Sequence, residues 1–313
     1  MSTSVGVKAR TILIRYDLLF VLVFLLSVGV VFRGTSFLNV RNMSSILKLS
    51  ALVGIAALGE GMVIMTKGID ISVGAVIGMS SIVSALLLES TGMLAFSIAI
   101  PLLLCALIGL ANGLFIVKGG VPAIVTTLGM MWLVRGLSAS LTNGQLVRIE
   151  NEAFNSIAAG SMFGIIPYFF VGMLLAGVVV YVVLTRHWIG KHIYAIGGDV
   201  EAAFFSGVRV DQVRISVYVL AAVLYGVAGL LMSSYVRVGR PYMGDGYEFR
   251  AITAAVLGGI ALSGGVGNIL KAVVGAIILT TALSLITNFA VSPYLQGIFE
   301  GGILIGAVLL SRN

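Results

Sequence analysis

The chain has 313 residues, of which 59% are hydrophobic and only 10% charged, and its mean hydropathy is +1.13. An average soluble chain is roughly 45–50% apolar and about 25% charged; a water-soluble globule with so few charges would expose large apolar patches. One membrane crossing takes about 20 apolar residues, so ten crossings use about 200 positions and leave no room for a soluble enzyme, nucleotide-binding or DNA-binding domain.

The composition therefore predicts an all-α polytopic membrane bundle of about ten transmembrane helices, forming one domain over residues 1–313. The net charge of +7 bears on topology before it bears on acidic partners. No basic run is interleaved with aromatics, which argues against nucleic acid. Cys105, the single cysteine, lies in an apolar run, so neither a disulfide nor a cysteine metal site is expected.

The first apolar run, Leu18 to Phe32, follows Lys8, Arg10 and Arg15. Its one small-x-small triplet, Ser27-Val28-Gly29, lies within the run, so it reads as a retained helix. Further runs are at about 46–65, 71–88, 94–117, 122–141, 166–185, 215–235, 251–267, 271–290 and 294–310. Gly119-Gly120-Val121-Pro122, Ile166-Pro167 and Ser292-Pro293 punctuate them. Ten crossings from a cytoplasmic N-terminus return Ser311-Arg312-Asn313 to the cytoplasm. The inner loops then hold Lys8, Arg10, Arg15, Lys67, Lys118, Arg186, Lys191, Arg209, Arg214, Lys271 and Arg312. The outer ones hold the smaller set Arg33, Arg41, Lys48, Arg148, Arg237, Arg240 and Arg250, the excess that the positive-inside rule requires.

The longest inner stretch, about 186–214, contains a helix of about two turns with both ends specified. Asp199 is the N-cap, Glu201 favours the first turn and Gly207 is the stop. Between them stand Ala202, Ala203, Phe204 and Phe205, followed by Ser206. A helix this short is marginal alone in water, so its phenylalanines must either dock on a partner or fold back onto the protein's own membrane surface.

The segment from Gly190 through Ala195-Ile-Gly-Gly-Asp199, Ala202-Ala203 and Ser206-Gly-Val208 resembles the cytoplasmic coupling loop of ribose/xylose-type sugar ABC transporter permeases, with Asp199 in place of their usual Asn. Thr66-Lys-Gly-Ile-Asp-Ile-Ser-Val-Gly74 is similar to that family's Gly-Gly-Ile-Asp-Leu-Ser-Val-Gly, with Lys67 replacing a small residue. Gly109-Leu-Ala-Asn-Gly113, Thr126-Thr-Leu-Gly-Met130 and Val256-Leu-Gly-Gly-Ile-Ala-Leu-Ser-Gly-Gly-Val-Gly267 extend the resemblance, which runs from about residue 37 to the end.

The resemblance implies a permease subunit of a bacterial inner-membrane importer for a monosaccharide, a ribose-like pentose or a hexose. A periplasmic or surface binding protein would deliver the solute, and a second permease copy, identical or not, would complete the pathway. A separate ATPase subunit would carry ATP and Mg; this chain has no Gly-x-x-x-x-Gly-Lys-Ser/Thr loop and needs no cofactor or metal of its own. Residues 199–207 would be the ATPase grip. Arg148, Glu150, Arg240, Asp245 and Glu248, in two outer loops of mixed charge, would receive the binding protein or be ordinary solvated residues.

Within the spans, Glu60, Asn112, Thr126 and Thr127 are the candidate polar lining of the pathway. Arg135 paired with Glu60 or Glu300 is a structural reading, and Asp70 reads as a helix N-cap. Rival functions are the same machine carrying nucleosides, branched-chain amino acids or a sugar-like signal molecule, and an ion-coupled secondary transporter. The transporter would need a relay of intramembrane acids or histidines, and His187 and His192 both fall in the inner loop.

Overall fold

The computed structural model describes residues 2–289 and 293–310. Its helices are α1 (Ser2–Arg33), α2 (Val40–Met65), α3 (Val73–Thr91), α4 (Leu94–Val117), α5 (Ala123–Thr142), α6 (Glu152–Ala159) and α7 (Tyr168–Arg186). They continue with α8 (Trp188–Gly198), α9 (Val200–Phe205), α10 (Val210–Val236), α11 (Tyr247–Leu257), α12 (Ile269–Asn288) and α13 (Pro293–Leu310). Four two-residue strands, β1 (Val147–Arg148), β2 (Ser161–Met162), β3 (Ile166–Pro167) and β4 (Val238–Gly239), pair antiparallel as β1 with β4 and β2 with β3. Ser292 and the C-terminal Ser311-Arg312-Asn313 lie outside the described residues.

Among the described residues, eight helices are long and apolar enough to cross a membrane: α1 from Leu18, α2, α3, α4, α5, α7, α10 and α12. The chain is a multi-pass membrane protein. Helix α2 is the axis of the bundle: apolar on all sides, it is buried continuously from Ser50 to Met65 against α7, α10, α11 and α12. Helices α4, α5 and α7 show lipid-ready outer faces, with Leu103 and Leu107, Trp132 and Leu133, and Leu175 and Val179 exposed.

The apolar run 251–267 is not a membrane-spanning helix, contrary to the sequence reading. Helix α11 ends at Leu257, and the chain to Asn268 is irregular, with Gly259, Gly264 and Gly265 in the left-handed region. An irregular segment precedes α11. From β4 to Gly246 the backbone descends along α3, so that Gly239 meets the backbone of Ser81, Pro241 meets Gly78 and Gly244 meets Gly74. No Cβ fits at any of these glycines. Among the described residues the count is thus eight helices of spanning length rather than about ten, with Leu295–Leu309 a shorter apolar helix.

A second irregular stretch, Thr66–Ser72, folds back beside the end of α2, where the Asp70 amide donates to Glu60 Oε1 at 3.2 Å. Asp70 is therefore not the N-cap of α3. It sits two residues ahead of the helix, where its Oδ1 accepts the Ser72 amide at 2.8 Å and hydroxyl at 2.5 Å.

The charge pairing also differs from expectation. Arg135 pairs with Asp245 at 2.9 Å and Glu248 at 3.5 Å, not with Glu60 or Glu300, and so ties α5 to the start of α11 and the segment before it. Glu300 instead takes Arg250. The Arg135 and Glu248 side chains are only 15% and 7% exposed. Removing one partner of such a pair strands a buried charge and costs about 3–5 kcal/mol, whereas an apolar pair of similar volume can be neutral. Arg135→Met is expected to lower the melting temperature of the purified protein sharply, and Arg135→Met with Glu248→Met to recover most of the loss.

Candidate coupling site and polar interior

The stretch expected to form the coupling loop holds two helices rather than one. Ahead of α9, helix α8 opens with His187, whose Nδ1 accepts the Ile189 amide at 3.3 Å. Asp199 then ends α8 and caps α9, its Oδ1 accepting the Ala202 amide at 2.9 Å. Gly207, at φ +81, stops α9 as its sequence position predicts.

The two faces of α9 have separate tasks. Ala203 is buried against the bundle. Phe204 and Phe205, at 65% and 83% exposure, point outward edge to face, with ring centroids 5.7 Å apart. Glu201, Ala202, Ser206 and Gly207 are exposed around them. A partner would therefore meet the phenylalanine pair, while Ala203 fastens α9 to its own chain.

The C-terminal end of α8 is wedged into the end of α2 and the irregular stretch 258–268. Gly197 has no room for a Cβ between Met65 O and the Gly265 backbone. The Gly265 amide donates to Met65 O at 3.1 Å, and the Tyr194 hydroxyl donates to Gly267 O at 3.0 Å. Lys67, held at φ +61, reaches across to donate from Nζ to Gly198 O at 3.0 Å. That carbonyl lies at the negative end of α8, where a cation is favoured. Helix α8 is thus joined directly to the end of α2 and to the stretch 258–268.

Glu60, one and a half turns above this junction, is fully buried between Gly59, which admits Tyr225 and Ala221, and Gly61, which admits Ile260 and Ile269. Its Oε2 accepts the Tyr225 hydroxyl at 3.0 Å. Asn112 donates to Ser72 Oγ at 3.1 Å, and Thr127 Oγ1 accepts the Ile71 amide at 3.1 Å. Thr126 is half-buried, and its hydroxyl has no hydrogen-bond partner within the chain. Glu60, Asn112 and Thr127 therefore hold the fold-back 66–72 in place, and the polarity read as a pathway lining is spent largely on that backbone.

On the opposite face, the residues expected to receive a binding protein divide. Arg148 is exposed on β1 beside Glu150, and Arg240 is exposed on the descending segment. Asp245 is half-exposed beside Arg135. Glu248 is buried, and it offers no surface charge because its carboxylate serves Arg135. The loop between α5 and α7 also holds α6, signalled by Asn151, whose Oδ1 caps it by accepting the Phe154 amide at 3.0 Å.

Residues 42–308 match the family model described as branched-chain amino acid transport system / permease component. Similar curated proteins include the ribose import permease protein RbsC of Bacillus subtilis, 36% identical over 94% of this chain and 91% of its own length. The galactose/methyl galactoside import permease protein MglC of Escherichia coli is 35% identical over 93% of this chain and 92% of its own. The L-arabinose ABC transporter permease protein AraH of Azospirillum brasilense is 33% identical over 88% and 81%. No solved structure matches the chain. A match over nearly the whole chain places this protein in the ABC transporter permease family that contains these importers.

Proposed function

We propose that the chain is the membrane conduit of a binding-protein-dependent ABC importer for a monosaccharide, a pentose or hexose, in the bacterial inner membrane. The sugar cargo of its similar relatives supports this reading. The observation that carries the energy-coupling half is the outward phenylalanine pair on a helix otherwise fastened to the bundle. Exposed aromatics on a capped two-turn helix are what a partner groove would grip.

In this reading the ATPase subunit binds ATP and Mg and holds Phe204 and Phe205, with both chain termini on its side. A second permease copy completes the pathway. The exposed charges of Arg148, Glu150 and Arg240 set the register of the binding protein on the other face. The family model's description supports one other cargo, branched-chain amino acids; a binding protein with a carboxylate and ammonium clamp in its cleft would favour that cargo.

Phe204→Ser with Phe205→Ser removes the docking surface and leaves Ala203 in its internal contact. The expected result is loss of ATPase co-purification and of ATP-driven uptake, with the melting temperature of the permease itself unchanged. Undiminished co-purification would contradict the assignment.

A further inference from the structure

One outward face of the bundle carries charge at a depth where it cannot meet lipid. Helix α11 lies between α5 and α13, because Glu248 pairs with Arg135 of α5 and Arg250, two residues on, pairs with Glu300 of α13. Phe249, between those two, points outward and is exposed. With Trp132 on α5 and Ile305 on α13, also exposed, it makes the apolar part of the face. An open groove of about 380 Å³ beside Phe249 is walled by Gly297, Gly301 and Ile305 of α13. The descending segment supplies the polar part: Asp245, whose side chain is 52% exposed beside Arg135, and the exposed Tyr242.

The depth follows from a chain of contacts. Cys105 lies at the middle of α4, and Gly226 of α10 packs against it. The Ser80 hydroxyl donates to Gly226 O at 2.8 Å, and the Ser81 hydroxyl donates to Arg240 O at 3.1 Å. The backbone of Arg240 is therefore level with the middle of α4. Gly244 meets Gly74, which is about two turns, or about 10 Å, nearer the coupling side along α3. Half the hydrocarbon core is about 15 Å, so Tyr242 and Asp245 stand within it. Lipid offers a half-exposed carboxylate no partner, and irregular backbone at this depth must be covered by protein or line a water-filled space. Helix α4 holds no charged residue and α7 only Arg186 at its inner end, so their outer faces suit lipid. The face around α11 does not.

We propose that a second copy of this chain covers the α5–α11–α13 face about a two-fold axis, and that the solute route runs between the two descending segments, lined by Tyr242 and Asp245 of each copy. The proposal rests on the importer reading and deepens it, by placing the route that the second copy completes. A two-fold interface must be self-complementary, and this face offers both a protruding Phe249 and an apolar groove beside it. Gly136 on α5 and Gly297 and Gly301 on α13 have no neighbour where a Cβ would stand, so a second copy's helices can approach at backbone distance. A cavity of about 700 Å³ runs from Gly144 and Gln145, beyond the outer end of α5, past Tyr242 to Asp245, and gives the route an entrance on the outer side. Along it a hydroxyl-rich solute meets an acceptor in Asp245 and a donor in Arg135.

The interface is tested in membranes carrying the full complex, with introduced cysteines and a short bifunctional thiol reagent. Cys105 is buried and contributes little background. Phe249→Cys is expected to yield cross-linked permease dimers, while Leu107→Cys on α4 and Leu175→Cys on α7 stay monomeric. Cross-linking at Leu107 or Leu175 in preference to Phe249 overturns the proposal. So does absence of cross-linking at all three positions while a differently tagged copy of the chain co-purifies with the complex, the result expected if lipid or another protein covers the face. If the tagged copy does not co-purify, the second-copy part of the importer reading has failed and takes the proposal with it, so the two failures are told apart.

The route is tested in the same membranes with a membrane-impermeant charged thiol reagent added on the outer side. Tyr242→Cys is expected to be labelled, and Leu107→Cys, near the middle of α4 on its lipid face, to escape labelling. Equal labelling of the two, or labelling of neither, overturns the route.

Discussion

Every backbone N–H and C=O at membrane depth must find a partner inside the protein, and this bundle depends on meeting that demand where its helices are broken. Irregular backbone is tolerated within a bilayer only where protein or a water-lined cavity surrounds it. Here two such stretches, 66–72 and 238–246, are laid against α3 and α2. Gly74 and Gly78 let the descending segment approach α3 at backbone distance. Glu60, Thr127 and Asn112 supply side-chain partners to the fold-back. Gly275 does the same for the end of α11, leaving space only for Ala254 and Gly258.

That arrangement links the two faces mechanically. Helix α2 runs without interruption from its outer end, where Asn42 and Ser45 lie, to the junction at Met65. Helix α11 likewise begins at Tyr247 and Arg250 and leads into the stretch that grips Gly197 and Tyr194. Helices α8 and α9 are therefore connected through α2 and α11 to the far ends of both helices. Lys67 adds a contact that a small residue at its position would lack, at the expense of a left-handed backbone that glycine adopts more easily.

Much of the bundle is legible in hydropathy alone, because a helix of spanning length with a wide outward apolar face, such as 94–117, is apolar almost throughout. Asp199 and Gly207 delimit α9 correctly, since caps are local chemistry. The run 251–267 is misleading because Val256, Ile260 and Leu262 are apolar through burial in protein, and hydropathy does not separate that from burial in lipid. Helices α6 and α8 are hidden by their short length, although Asn151 signals the first. The partners of Arg135 and Glu300 are long-range facts of packing, as is the inward turn of Ala203. Glu60, Asn112 and Thr127 stand out as intramembrane polar residues, but their spacing does not reveal that a folded-back backbone consumes them. Arg250 falls by sequence in an outer loop, so its pairing with Glu300 has no local signature.

In the proposed function the chain supplies the conduit and a coupling surface, and other proteins supply the energy and the solute capture. Uptake of labelled D-ribose and D-galactose into vesicles holding this permease with its ATPase and binding protein tests that division most directly. Uptake of one of these sugars that requires ATP and both partners is the predicted result. Uptake by the chain alone, driven by a proton or sodium gradient, would contradict it.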